Sequence, residues 1–204
     1  MRQFILFLMV LFPVATWAFS GSEIEHYYQH KDLYEAKAML QSFSDQNILD
    51  RNNGLTPLVS GFVGGLMSDH PSLIKQLDGM PLSDSMQKLA RRVDENMKKA
   101  NYKLDLYLNV RQIKTPFDID TLWGLFYATG DARIPNAIQN YIIWKSKTLS
   151  DTEVDMTSLM ALSSLQGNAS NHPLAQLALK RTLQSSSVQR KLAILQNFTE
   201  LGSK

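Results

Sequence analysis

His26 and His30 stand four residues apart, a spacing that puts two imidazoles on one face of a helix, and Glu23 lies one turn before His26. Such side chains are candidate transition-metal ligands. Two histidines leave a zinc site incomplete, however, and the segment lacks the His-Glu-x-x-His signature of a metalloprotease, so a solvated helix face is the competing reading. Carboxylates cluster twice, at Asp118 with Asp120 and at Asp151, Glu153 and Asp155. Paired carboxylates can divide the roles of general acid and general base. Both clusters fall in the first turn of an expected helix, where the macrodipole favours negative charge, so capping accounts for them without catalysis. Trp123 and Phe126 share helical spacing with Leu122 and read as core anchors, the indole N–H needing an acceptor such as Asp120 or Asp131. Tyr141 and Trp144, on the following helix, are candidates for an exposed contact surface, and they fit burial as well. His70 and His172 each precede a proline, which suits capping or turn roles.

The composition excludes more chemistry than it suggests. The chain has 204 residues, 44% of them hydrophobic, and no cysteine. Disulfide staples, thiolate catalysis, iron–sulfur ligation and cysteine zinc sites are therefore absent. Basic and acidic residues number 21 and 19, which removes the electrostatic drive of a general nucleic-acid binder. No Gly-x-Ser-x-Gly elbow, phosphate loop or dinucleotide fingerprint occurs. Asn168-Ala169-Ser170 and Asn197-Phe198-Thr199 are formal glycosylation acceptors, relevant only in a eukaryotic secretory pathway.

The beginning of the chain has the features of a secretory signal. Arg2 precedes an apolar run from Phe4 to Val14 broken by Pro13, and Thr16-Trp17-Ala18 offers small residues before a cut after Ala18. The run is shorter than the roughly 20 residues that span a bilayer. Residues 1–18 are thus expected to be a signal peptide and residues 19–204 a single exported domain, periplasmic or secreted, with no membrane span after cleavage.

Apolar residues recur at helical spacing through the rest of the chain, and no stretch shows sustained alternation, so the fold class is all-α. Ser22 and Glu25 form a capping box for a first helix running to about Ser44, with Leu33, Ala36, Leu40 and Phe43 along one face. A loop is expected at Asp50–Gly54. Thr56-Pro57 opens a second helix carrying Leu58, Phe62 and Leu66; its Gly61 and Gly65 permit a close helix crossing. Pro71 to Leu77 is a short helical piece. Ser83 caps a longer one whose apolar face is Met86, Leu89, Val93 and Met97, its lysines and arginines remaining solvated. Thr115-Pro116 with Asp118 repeats the capping signature for a helix ending at a left-handed Gly130, after which Asp131 caps the next, the two forming an antiparallel hairpin. Ser150 with Glu153 and then Pro173 open further helices, the first presenting Met156, Leu159, Ser163 and Gln166 and the second Leu174, Leu177 and Ala178. Val188 to Phe198 forms the last. The architecture expected is an irregular, repeat-like bundle of stacked antiparallel hairpins.

The stretch Leu122–Asp131 resembles the helix-turn of tetratricopeptide-type repeats, with aromatic and small residues before a Gly-Asp turn. The small residue such repeats place early in the second helix falls near Pro135, Ala137 is displaced from it, and no second copy recurs at a period of about 34 residues. More closely, Asp120, Leu122, Trp123, Phe126, Ala128, Thr129, Gly130 and Asp131, followed by Ser163-Ser164-Leu165 and the turn Asn168 to His172, resemble a family of uncharacterised exported helical proteins, mostly bacterial. The likeness spans Pro57 to Phe198, although the tryptophan expected beside the serine is missing. It implies a helical-repeat-like fold and structural roles for the motif, and carries no activity or cofactor.

The function expected is that of an exported protein-binding or structural module whose partner is another envelope or secreted protein. One alternative is a small-ligand carrier or enzyme with a pocket assembled from residues distant in sequence. Another is metal handling through His26 and His30.

Overall fold

A computed structural model describes residues 21–99, 108–150, 153 and 155–201. The signal segment read at residues 1–18 lies outside the described residues, as do the side chains of Ser22 and Glu23. Among the described residues every regular element is helical. In chain order these are α1 (Gly21–His26), a 3-10 turn (Tyr27–Gln29), α2 (Leu33–Asp45), α3 (Ile48–Arg51), a 3-10 turn (Asn53–Leu55), α4 (Thr56–Asp69), α5 (Leu73–Leu77) and α6 (Asp84–Lys99). There follow α7 (Pro116–Thr129), α8 (Arg133–Thr148), α9 (Met156–Asn168), α10 (Pro173–Gln184) and α11 (Ser186–Leu201). They divide, within α8, into two compact units, Gly21–Ile134 and the residues from Pro135 onward.

The first unit is built around α4 and α7. Each is apolar almost all round: residues 61–67 of α4 and 122–128 of α7 are buried without interruption, the pattern of a helix surrounded by protein. Gly61 faces Thr121 and Leu125, Gly65 faces Leu125 and Ala128, and Gly124 faces Leu58 and Phe62, so the two helices run parallel. Contact is backbone to backbone. A Cβ on Gly61 would overlap the Thr121 carbonyl oxygen, and one on Gly124 would overlap that of Leu58. Cα–H groups therefore face carbonyl oxygens across the crossing, a weak hydrogen bond common where helices touch. The close approach expected of Gly61 and Gly65 is present, with Gly124 and Ala128 as the matching small residues.

Aromatic rings close over this pair. Tyr27 meets Phe62 edge to face at 5.5 Å, and Tyr28 lies 5.1 Å from Phe126. Trp123 sits edge-on to Phe126 at 5.6 Å and stacks with Tyr127 at 6.0 Å. Such pairs add stabilisation beyond the area they bury. Gly130 ends α7 at φ +67°, with the Tyr28 ring against it where a side chain would stand; a residue with a Cβ would meet both conformational and steric resistance there.

Two expectations about this unit are corrected. The first helix is broken at Lys31, whose φ is +48°, and α2 starts afresh with the Asp32 carboxylate accepting the Tyr34 N–H at 2.9 Å. A cap at Asp32 and burial of Tyr27 outweigh the periodicity that suggested one continuous helix. The expected loop at Asp50–Gly54 instead contains α3 and a 3-10 turn, because left-handed Asn47 starts the former and the Asn52 side chain accepts the Gly54 N–H in the latter. On α6, Met86, Leu89 and Val93 are buried and Lys88, Arg91, Arg92 and Lys98 are exposed, as the pattern implied, while Met97 is only half-buried.

In the second unit α9 packs on α10 and α10 on α11. Alanines make the first contact close: Ala161, Ala175 and Ala178 are fully buried. The inward face of α9 is Thr157, Ala161, Leu162 and Leu165, which corrects the face drawn through Met156, Leu159, Ser163 and Gln166. Met156 is 58% exposed. Likewise α10 buries Ala175, Ala178 and Thr182 and leaves Leu177 exposed. The Ser150–Glu153 box forms, the Glu153 carboxylate accepting the Ser150 N–H and O–H at 3.0 Å each, but it closes a turn. Asp155 caps α9, accepting the Ser158 N–H at 3.0 Å.

The glycine contacts make opposite predictions for one substitution. Gly61→Ala and Gly124→Ala should each destabilise the protein by about 2 kcal/mol, the overlap with a carbonyl outweighing the helix-propensity gain of about 1 kcal/mol. Gly167→Ala, where nothing lies within 4 Å of the added carbon, should stabilise by about 0.5–1 kcal/mol. Chemical denaturation of the three variants reads both signs.

Candidate functional site

The residues singled out in sequence fall into structural roles in the first unit. Leu122, Trp123 and Phe126 are core. The Thr129 hydroxyl donates to the Leu125 carbonyl at 2.7 Å and accepts the Asp131 N–H at 3.2 Å, stitching the end of α7 to the following turn. The Asp131 carboxylate accepts the Arg133 N–H at 2.8 Å and pairs with its guanidinium at 2.6 Å. Burial pushes the Asp131 carboxyl upward, but the Arg133 hydrogen bonds and charge, with Lys31 beyond them, hold it below its ordinary value. Asp118 reaches back to the Thr115 N–H at 2.8 Å as the capping pattern required. Its role is at the helix start.

Asp120 differs from these. It lies on α7 one turn before Trp123 and Gly124, and burial with no compensating partner lifts its carboxyl from 3.8 to about 6. Tyr27, 2% exposed, is pushed up to about 12 by burial first, then by the negative charges of Asp32, Asp69 and Glu35.

His26 and His30 do not share a helix face. His26 is the last residue of α1, its ring bonded to the Gln29 amide at 3.1 Å, and His30 follows the 3-10 turn. Spacing of four places side chains together only on an unbroken helix, and the break removes that geometry. Among the described residues no three histidine or carboxylate side chains are grouped to hold a metal. His70 ends α4 and His172 stands at the N-cap position of α10, fully buried.

The concave feature of interest lies in the second unit. An open groove runs between α8, α9 and α11. Ile142, Leu159, Leu162 and Val188 make its apolar lining. Polar groups hold the helices around it. Tyr141, buried on α8, donates its hydroxyl to Asp155 at 2.8 Å, so the carboxylate that caps α9 also ties α9 to α8. Ser146 of α8 and Ser187 of α11 share a hydrogen bond of 2.7 Å.

Two lysines stand at the groove. Lys145 lies 3.7 Å from Asp155 and over the rings of Trp144 and Tyr141, with Nζ 5.4 and 5.8 Å from their centroids. Lys191 of α11 donates to the backbone carbonyls of Ser150 and Glu153, the second at 2.9 Å. The Ser150 N–H and hydroxyl hold the Glu153 carboxyl below its ordinary value. Both carboxylates at the groove are thus engaged by backbone N–H groups, Asp155 at the start of α9 and Glu153 in the preceding turn. What the site offers is apolar area bordered by two lysines and two carboxylates.

In the sequence Tyr141 and Trp144 fit either an exposed contact surface or burial, and nothing there points to the groove. Tyr141 is buried, not exposed, and serves as the α8–α9 tie; Trp144 is half-buried. The lining residues are drawn from three helices up to 50 positions apart, and no local spacing signals that convergence.

No protein-family model matches the chain, nor does any curated protein or solved structure.

The raised Asp120 carboxyl has a consequence for pH dependence. Because its folded-state value lies above the unfolded one, the residue favours folding fully below about pH 4 and loses that contribution as pH rises through about 6. Asp120→Asn should raise stability at neutral pH by about 2 kcal/mol, allowing for contact with solvent, and should flatten the decline between those limits. Urea titrations of both proteins across that range read the difference.

Proposed function

We propose that the chain is an exported binding module that holds a segment of another envelope or secreted protein in the groove between α8, α9 and α11. The observation that carries this reading is the groove's chemistry: an aliphatic lining flanked by lysines and carboxylates already committed to helix caps and carbonyls. Apolar side chains of a partner would gain burial there, while the polar rim supplies orientation. The apolar run and small-residue pattern at the start of the chain support export, and among the described residues no helix is long and apolar enough to cross a membrane.

Leu159 lines the groove and is half-buried, so Leu159→Glu places a charge in the docking surface without entering the core. Chemical cross-linking and affinity capture from the native host should recover a specific protein with the wild-type chain. The Leu159→Glu variant should bind it about 30-fold or more weakly while keeping its helical circular dichroism. Equal recovery with both chains would overturn the groove as the binding site.

A further inference from the structure

The charge of the second unit is unevenly placed. No aspartate or glutamate occurs from residue 156 to residue 199, whereas Lys180, Arg181, Arg190 and Lys191 all fall in that stretch. Lys191 is bound to the carbonyls of Ser150 and Glu153. The other three are exposed, and among the described residues none is paired with a carboxylate. They gather at one end of the α10–α11 hairpin: each lies within five residues of Ser185, the single residue between the helices. Lys180 and Arg181 also follow Leu177, 43% exposed, by three and four positions, so the apolar and basic side chains share one face of α10.

The cations of α6 provide a contrast. There Lys98 pairs with Asp94 at 2.5 Å and Arg91 approaches Asp78 at 3.7 Å, while Lys88 follows Asp84 by four positions and Arg92 precedes Glu95 by three, so acidic residues are interleaved with the cations. Helix-end electrostatics explains only part of the second cluster. Lys180 and Arg181 are near the C-terminus of α10, where cations are favoured, but Arg190 lies near the positive N-terminal end of α11, where they are not.

We infer that the turn end of the α10–α11 hairpin, with Lys180, Arg181, Arg190 and Leu177, is a docking surface for an anionic lipid bilayer. The chemistry favours lipid over an acidic protein. The cations ride on exposed helix faces with one aliphatic side chain, and the patch lacks the aromatic anchors in pockets that concentrate energy at protein interfaces. A sheet of phosphate head groups needs only charge and shallow apolar contact.

Sedimentation of the purified chain with vesicles tests this. Binding to phosphatidylcholine mixed with phosphatidylglycerol should exceed binding to phosphatidylcholine alone and should weaken at high salt. The triple variant Lys180→Gln, Arg181→Gln, Arg190→Gln should partition about 100-fold less, at about fivefold for each exposed cation lost. The matched variant Lys88→Gln, Arg91→Gln, Arg92→Gln on α6 should bind as the wild type does. Equal binding to both vesicles, an equal loss from the α6 variant, or binding to polyglutamate with none to anionic vesicles would each overturn the assignment. Circular dichroism confirms that the exposed substitutions leave the fold in place.

Discussion

Backbone contact between α4 and α7 is possible because Gly61, Gly65 and Gly124 leave no Cβ between the helices, and much of the first unit depends on that contact. Side chains hold most helix pairs 8–10 Å apart. Closer approach lets the flanking Phe62, Leu66, Leu122 and Phe126 wrap past the crossing and be buried on every side. Tyr27 and Tyr28 then meet the two helices through Phe62 and Phe126. The Gly-Asp turn after α7 is a local device attached to this pair: Gly130 ends the helix against Tyr28, and Asp131 is spent on Arg133.

The acidic side chains that first invite a catalytic reading are distributed over caps and turns. Asp32, Asp118, Asp131, Glu153 and Asp155 each accept a backbone N–H at the start of a turn or helix. Of these the Asp131 and Glu153 carboxyls are held below their ordinary values, the opposite of what an acid catalyst working near neutral pH requires. Asp120 alone of the motif residues is displaced upward, and its position on α7 makes it a cost to the fold at neutral pH. The second unit uses the same economy of parts differently: Asp155 caps α9 and holds Tyr141, leaving an aliphatic groove open beside it.

What could be read in the sequence was whatever acts over a few residues. The helical class, the capping pair Thr115 and Asp118, the left-handed Gly130 and the close-crossing glycines of α4 all have local signatures. Expectations went astray where a tertiary demand overrode a local pattern. Periodicity carried the first helix through Lys31, yet a fresh cap at Asp32 breaks it there, and the 3-10 turn at Tyr27–Gln29 already removes the shared face of His26 and His30. On α9 the spacing of Met156 and Leu159 fits one side of the helix as well as Ala161 and Leu165 fit another; only the partner helix α10 decides between them. The groove was illegible for the same reason, being made by three helices that meet only in the folded chain.

Native-state hydrogen exchange tests the central place of the α4–α7 crossing most directly. If that crossing is the last structure of the first unit to open, the amides of residues 62–67 and 122–128 should exchange only through global unfolding, with protection equal to the full stability of the unit and the same dependence on denaturant. Exchange of those amides through smaller openings, while α2 or α6 stays protected, would contradict the account.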